Sequence, residues 1–397
     1  MVFVDAGDFT GEPTVPGQKQ TDSLIEGMNL LGYKVSALSQ RELAHGYDTF
    51  LARRSKATFP FVSANIVWQD SGEPLVDPFV VLRLPVRQGA KAKEIRIAFT
   101  GLTASNPAFL KTGPGGRRIV TADPVTAAAK YVPQMRSKAD VVVVLSGLDL
   151  DGARNVARKV KEIDLILGGQ GGRETRLDDF PEDTLIGRTR IQYIGDQGKN
   201  LGEVRLFLSD KRTIASMQRA LVSLTREWPD EPVLARLMES TKVEVNAYNQ
   251  AQAEANSPFA APERPAALTP SFTGSERCMP CHEAEFTIWS KSAHAHAFET
   301  LVKAKQDFNP TCVGCHTIGY GAPQGFRTAV ATPGLKHVGC EACHGPSSQH
   351  PDPLAQGYGK TTTESCRGCH THENSPDFDP GTYIPQVRHW KETQAAR

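Results

Sequence analysis

The length of 397 residues exceeds what one ordinary hydrophobic core organises, so it predicts two domains. The formal net charge of +1 argues neither for nucleic acid nor for an acidic membrane surface as a partner. No stretch is apolar over the roughly eighteen residues that a membrane span needs, so no integral membrane segment is predicted.

Residues 1 to about 210 alternate short strands with helices, which is the pattern of an α/β domain. The four consecutive valines that begin at Val141 are typical of a strand covered on both faces. Asp123 before Pro124 predicts the start of one helix, and Asp151 predicts the start of the next. The predicted strands are residues 94–102, 141–146, 164–168, 190–194 and 203–208.

The composition changes after this domain. Residues 231–255 are rich in Ala, Glu and Gln and predict a helix, and residues 256–272 carry four prolines, which predict a semi-rigid linker. Further on, Cys, His, Gly and Pro dominate and long apolar runs disappear. We therefore expect an α/β domain over 1–210, a helix and linker over 211–272, and a mainly helical and irregular domain over 273–397.

All eight cysteines lie in this last segment and form four C-x-x-C pairs, each followed directly by histidine. Two thiols three positions apart reach the two vinyl groups of one porphyrin edge, and the next histidine can ligate the iron. Paired cysteines also build zinc sites, but zinc does not demand a histidine after every second cysteine. The pattern predicts four covalently bound haem c groups. The attachment residues are Cys278, Cys281 and His282; Cys312, Cys315 and His316; Cys340, Cys343 and His344; and Cys366, Cys369 and His370.

The methionines and histidines that the segment contains limit which residues can be the sixth ligands of the haem irons. Met279 is the only methionine of the segment, and it lies between two cysteines of one motif, where it cannot reach a distal face. Histidine ligation and low reduction potentials are therefore predicted. His294 and His296 lie two apart on a helix-like stretch and point to different sides, so they cannot serve one iron. The candidates for at most four positions are His294, His296, His337, His350, His372 and His389.

Residues 273–397 resemble the tetrahaem cytochromes that take electrons from hydroxylamine oxidoreductase in nitrifying bacteria. The resemblance rests on W-S-K-S-A-H-A after the first motif, C-V-G-C-H-T-I-G-Y-G at the second and V-G-C-E-A-C-H-G-P at the third. It covers about the last third of the chain and implies a multihaem cytochrome fold.

This resemblance also implies a set of distal ligands. The implied ligands of the first, third and fourth haems are His350, His389 and His294. His372 is the alternative for the third haem, but it lies two residues past His370. The second haem, on His316, is five-coordinate in that family. His337 departs from the family pattern and would close the open site if it reached the second iron.

Residues 1 to about 210 resemble the metallophosphoesterase domain of 5′-nucleotidases, which implies an α/β sandwich. The resemblance rests on D-A-G-D at 5–8, G-M-N-L-L-G-Y at 27–33, F-P-F-V-S-A-N-I at 59–66 and D-L-I-L-G-G at 164–169. Such enzymes hold two metal ions with Asp, Asn and His ligands, and the ions activate a water for attack on phosphorus.

Most metal ligands implied by this resemblance are replaced. Asp8 matches the bridging aspartate, whereas the family's first strand, with its Asp and His, is not in the sequence. The replacements are Ser39, Gln40 and Arg41 in the G-N-H-E step, Gly147 for the histidine of L-S-H, and Gln170 and Gly172 for those of G-G-H-x-H. Arg41 would place a positive charge where metal should lie. We expect a retained scaffold without phosphatase activity, with His45 as a surface histidine.

Haem is attached to C-x-x-C-H outside the cytoplasm, so a periplasmic or extracellular location is predicted, and the missing signal peptide is expected to precede the sequence given. Residues 273–397 hold 11 Lys+Arg and 12 Asp+Glu, and haem propionates would make the loaded domain acidic. Redox partner proteins with a basic docking face are therefore expected. The predicted function is electron transfer. The alternatives are a haem enzyme acting on a small nitrogen or sulfur species at an open second haem, and a working phosphoesterase.

Overall fold

The computed structural model describes residues 1–88, 91–169, 184–194, 198, 200–210, 212–225, 227–255, 271–322, 324–350, 359, 361–371 and 374–389. The chain divides into two compact units, Met1–Met238 and Glu239–Arg397. Most of the predicted linker, as well as Gln170, Gly172 and His372, lies outside the described residues.

The first unit is built from short strands and four helices among its described residues. In chain order these are β1 (Val4–Asp5), α1 (Val15–Leu31), β2 (Val35–Ala37), α2 (Tyr47–Lys56), β3 (Phe61–Val62), β4 (Ile66–Trp68), β5 (Val80–Gln88), β6 (Lys91–Thr103), β7 (Lys111–Thr112), β8 (Arg118–Thr121), α3 (Pro124–Lys138), β9 (Val141–Gly147), α4 (Leu150–Lys159), β10 (Leu165–Gly168), β11 (Thr184–Ile186), β12 (Thr189–Tyr193), β13 (Asn200–Leu208) and β14 (Ile214–Ser223).

Two sheets form the frame of this unit. The larger has the strand order β11-β12-β10-β9-β6-β5, with parallel pairing in its centre and antiparallel pairing at both edges. The smaller is parallel and has the order β1-β2-β3. Two antiparallel additions, β4-β8-β7 and the β13-β14 hairpin, complete the described strands.

The strand β9 shows how the layers pack. Every residue of β9 is buried, as the run of valines predicts for a strand covered on both faces. Val142 and Val144 pack toward α3 and α4, whereas Val141 and Val143 pack against the smaller sheet. Phe50 belongs to a third cluster, which lies under α1 and α2. The first unit is therefore an α/β/β/α sandwich, in which burying each such side chain contributes roughly 1.5–3 kcal/mol.

Helix starts follow local capping chemistry. Asp123 accepts a hydrogen bond from the Thr126 amide at 2.7 Å, as predicted for the start of α3. The prediction for α4 was wrong by two residues, because Asp149 is the N-cap and accepts from the Gly152 amide at 2.7 Å. Asp149 is the last residue with extended backbone, so Asp151 falls within the first helical turn.

The second unit begins within α5 (Pro232–Ala255), close to the predicted 231–255. Its remaining helices are α6 (Glu283–Trp289), α7 (Ala297–Lys303), α8 (Pro310–His316), α9 (Cys340–His344), α10 (Thr363–Arg367) and α11 (Pro380–Val387). One small cluster around Phe298, Leu301 and Ile318 forms its hydrophobic core among the described residues. In the described part of the chain, no helix is long and apolar enough to cross a membrane.

Candidate haem centres

Each C-x-x-C-H motif forms a turn of helix. The amide of His282 donates to the Cys278 carbonyl at 2.9 Å, and the amide of His370 donates to the Cys366 carbonyl at 2.9 Å. The second and third motifs lie within α8 and α9. None of the eight cysteines is in a disulfide. A helical turn places two thiols and the following histidine near one another, which is the arrangement that covalent haem attachment needs.

Three of the four motif histidines face a second histidine. The ring centres are 6.2 Å apart for His282 and His350, 6.2 Å for His370 and His294, and 5.8 Å for His344 and His389. Imidazole nitrogens bind metals at about 2.0–2.1 Å, so two imidazoles on opposite sides of one metal have ring centres roughly 6 Å apart. The three pairs therefore have the spacing of two axial ligands on one iron.

Hydrogen bonds from Nδ1 orient several of these rings. The Nδ1–H of His316 donates to the Ala297 carbonyl at 2.7 Å, and that of His344 donates to the Gly359 carbonyl at 2.6 Å. The Nδ1–H of His389 donates to the Val387 carbonyl at 2.8 Å. A proton held on Nδ1 leaves the lone pair of Nε2 available for a metal, which is the usual second-shell arrangement of histidine ligands.

His316 and His337 do not meet in the described part of the chain. The Phe298 amide donates to Nδ1 of His337 at 3.3 Å, so the neutral ring carries its proton on Nε2 and cannot ligate through that atom. The His337 ring instead lies 6.5 Å from that of His296 and 6.5 Å from that of Phe298. The described contacts of the His337 ring are therefore with Phe298 and His296.

The two histidines of the A-H-A-H stretch have different partners. His294 approaches His370, whereas His296 lies 3.6 Å from the Glu299 carboxylate. Burial lowers the pKa of His294 and of His370, which favours the neutral imidazole that binds metals. The different directions of the two rings agree with the residue-spacing argument.

Thiols of different motifs lie beside one another. Burial and the neighbouring Cys340 thiol raise the pKa of Cys278 to about 11. Burial and the neighbouring Cys315 thiol raise the pKa of Cys369 to about 12. Burial raises the pKa of Cys343, and the nearby Cys366 adds to this effect. The motifs are thus adjacent in the order first, third, fourth, second.

The residues at positions that hold metal in the resembled family form a hydrogen-bond network in the first unit. Asp8 adopts a φ of 64°, a left-handed conformation that is strained for a non-glycine residue. The Ser39 hydroxyl donates to Asp8 and also lies 2.8 Å from Glu42 Oε2. Glu42 further accepts from the amides of Ser39 and Phe9 at 2.9 and 3.0 Å. Ser39 and Glu42, at two of the four G-N-H-E positions, therefore bond to each other and to Asp8.

Position 147 still faces Asp8. A Cβ placed on Gly147 would lie 3.7 Å from Asp8 Oδ2, so a side chain at this position would start beside this carboxylate. Gln40 donates to the Ala104 carbonyl at 2.9 Å and accepts from Asn106 at 2.9 Å. The Arg41 guanidinium donates to the Thr10 carbonyl at 3.1 Å. The described positions that hold metal ligands in the resembled family lie near one another. The side chains at these positions are not the metal ligands of that family.

His45 is not the surface histidine that was expected. It is half-buried, its Nε2 donates to the Glu12 carbonyl at 2.6 Å, and Arg53 donates to its Nδ1 at 2.6 Å. Arg53 also donates to Asp22 at 2.7 Å and is itself buried. The expectation failed because the sequence alone does not show that Glu12, 33 residues away, and Arg53, eight residues away, both bond to this ring.

Known proteins resemble the two parts of the chain separately. The family described as "Cytochrome c554 and c-prime" matches residues 277–345. Cytochrome c-554 of Nitrosomonas europaea is 38% identical over 90 residues, which cover 19% of this chain and 38% of that protein. The 2′,3′-cyclic-nucleotide 2′-phosphodiesterase/3′-nucleotidase of Yersinia enterocolitica is 29% identical over 238 residues, covering 53% of this chain and 36% of that protein.

The fold of the first unit also occurs in a solved structure. The calcineurin-like phosphoesterase YfkN from Bacillus subtilis matches with a TM-score of 0.52 and 20% identity, over 62% of this chain and 84% of that one. The chain spans 36–38% of the length of the two curated relatives. These likenesses and the geometry identify a chain that joins an N-terminal domain of the 5′-nucleotidase-like, calcineurin-like phosphoesterase fold to a C-terminal cytochrome c554 domain.

Proposed function

We propose that the C-terminal domain carries four covalently bound haem c groups and transfers electrons between redox proteins outside the cytoplasm. The observation that carries this proposal is the pairing of three motif histidines with second histidines at ring-centre distances of 5.8–6.2 Å. Within the described residues no three His, Cys, Asp or Glu side chains converge as a zinc site would require. Haem would supply the one-electron chemistry, and the three histidine pairs would each hold one haem iron.

The adjacent thiols support electron transfer along the domain. Each thiol would bond to the edge of its own porphyrin, so contacts between thiols of different motifs bring porphyrin edges together. The pairs Cys278 with Cys340, Cys343 with Cys366, and Cys369 with Cys315 link all four motifs. We infer a haem order of first, third, fourth and second, in which electrons enter or leave at the two ends.

The second haem is the place where chemistry beyond electron transfer would occur. His316 is oriented by Ala297 and Thr300, and no second histidine faces it in the described part of the chain. An iron with one protein ligand can bind a small nitrogen or sulfur species. This geometry keeps a haem enzyme as the second candidate function.

The first unit is proposed to serve as a scaffold without phosphatase activity. Asp8, Ser39 and Glu42 bond to one another, and Gly147 provides no ligand beside Asp8. The haem domain contains 11 Lys+Arg and 12 Asp+Glu, and haem propionates would add further negative charge. An acidic domain of this kind suits a redox partner with a basic docking face. The location proposed for the first unit and the haem domain is periplasmic or extracellular.

The test is a spin-state count combined with electron delivery. Magnetic circular dichroism of the oxidised protein should show three low-spin haems and one high-spin haem per chain. The reduced protein should then pass electrons to a small basic c-type cytochrome, at a rate that falls with added salt. A protein that holds haem but neither accepts nor passes electrons would overturn the carrier function. Four low-spin haems would remove the enzyme alternative.

A further inference from the structure

A buried carboxylate lies inside the third haem-binding motif. Glu341, between Cys340 and Cys343, has only 3% of its surface exposed. Such a group is unfavourable to bury unless hydrogen bonds satisfy it, because its charge loses the stabilisation that water gives. The resemblance to known cytochromes and the motif spacing assign no role to this residue.

The partners of Glu341 are all uncharged donors. Its Oε1 accepts from the amide and hydroxyl of Ser347 at 2.7 and 2.6 Å. Its Oε2 accepts from the Gly274 amide at 2.8 Å, and the Thr273 amide lies 3.0 Å from both oxygens. Three backbone amides donate to this carboxylate, and hydrogen bonds of this kind stabilise its ionised form. The site thus holds a full negative charge that amide and hydroxyl dipoles solvate.

These donors connect the third motif to the first. Gly274 has a φ of 87°, and a Cβ there would lie 2.7 Å from the Gly334 carbonyl, so glycine is needed to bring this amide to the carboxylate. The next residue, Ser275, accepts at its hydroxyl from the Cys340 amide at 3.1 Å. The segment then runs directly into Cys278, whose thiol lies beside that of Cys340. Glu341 is therefore close to the attachment points of two haems.

We propose that Glu341 is an electrostatic tuning residue that stabilises the oxidised irons of the first and third haems and lowers their reduction potentials. This inference rests on the proposed attachment of four haems. An oxidised haem carries one positive charge more than the reduced haem, so a nearby fixed negative charge favours the oxidised state. Burial strengthens the effect, because a low-dielectric surrounding screens the charge less than water does.

The test separates the effect of the Glu341 charge from the effect of its side-chain size, in the full-length protein with haem bound. Glu341→Gln removes the charge and keeps the size of the side chain, whereas Glu341→Asp keeps the charge and shortens it. In a spectroelectrochemical titration, two of the four midpoint potentials should shift upward in the Gln variant and stay at wild-type values in the Asp variant. Glu364→Gln is the matched control, because Glu364 lies two residues before Cys366 but is 73% exposed, and it should shift none of the potentials.

Three outcomes would overturn the inference: unchanged potentials in the Gln variant, equal shifts in the Gln and Asp variants, or a shift in the control. If the Gln variant fails to retain haem, Ser347→Ala provides the test. It removes one neutral donor and keeps the charge, so the same two potentials should shift downward, and no shift or an upward shift contradicts the proposal. The intact mass of the wild-type protein separates this inference from the proposed function. A wild-type protein without four haems contradicts the function itself.

Discussion

The buried carboxylate of Glu42 predicts that the first unit loses stability as the pH rises. Burial is the main cause and the Asp8 carboxylate the second, and together they raise the pKa of Glu42 from 4.5 to about 7 against the opposing hydrogen bonds from Ser39. Burial also raises the pKa of Asp5 to about 6, so both groups act in the same direction. The network around Asp5, Asp8 and Glu42 therefore holds protons that the unfolded chain releases.

The magnitude follows from proton linkage. Between pH 4.5 and pH 7 the folded protein keeps the Glu42 proton and the unfolded chain does not, so unfolding becomes easier as the pH rises. The contribution is fully present below the unfolded pKa of 4.5 and is lost as the pH passes the folded pKa of about 7. The difference between the two pKa values corresponds to about 3 kcal/mol in the free energy of unfolding.

Urea titrations of the full chain at several pH values between 4.5 and 8 measure this effect. Pulsed hydrogen–deuterium exchange, read on peptides from the fully buried strand β9, reports the unfolding of the first unit alone. Glu42→Gln should reduce the loss of stability across this range by about 3 kcal/mol. Glu26→Gln, which removes an exposed carboxylate on α1, should leave the pH dependence unchanged. An unaltered pH dependence in Glu42→Gln would refute the reasoning.

Three further predictions concern the haem ligands and the first unit. His294→Ala should convert the haem on His370 to high spin, whereas His296→Ala should leave every absorption band in place; the reverse result would exchange the two roles. His337→Ala should leave the iron on His316 in its wild-type spin state, and a change from low to high spin there would show that His337 is a ligand. The purified protein should not hydrolyse nucleotides when manganese or zinc is added, and metal-dependent release of phosphate would show a working phosphoesterase.

The hydrophobic pattern of the sequence predicted most strands of the larger sheet, because these strands are apolar. The predicted 94–102 falls inside β6, and 164–168 corresponds to β10. It missed β5, an edge strand in which Arg83 and Pro85 interrupt the apolar pattern. It also missed β14, which pairs only with β13 and carries polar residues such as Gln218 and Arg219. Strands at edges need little apolar sequence, so their pattern is weak.

The haem motifs are local in sequence, so their spacing alone predicts the attachment residues. The distal histidines come from other segments, and their assignment rested on resemblance to a family, since spacing does not say which rings meet. Glu341 and Glu42 gave no signal, because nothing in a sequence distinguishes a buried glutamate from an exposed one before its partners are known. Their hydrogen-bond donors lie up to 68 residues away in sequence for Glu341 and up to 34 residues away for Glu42.

The central claim is that the chain carries four covalently attached haems. The most direct test is the mass of the intact, denatured protein after expression with export and cytochrome c maturation, because only thioether-linked haem survives denaturation. We predict the mass of the polypeptide plus four haems, with loss of one haem when both cysteines of one motif, such as Cys312 and Cys315, are replaced by alanine. A mass without haem would contradict the account. A native protein that binds zinc through its cysteines instead of haem would contradict it as well.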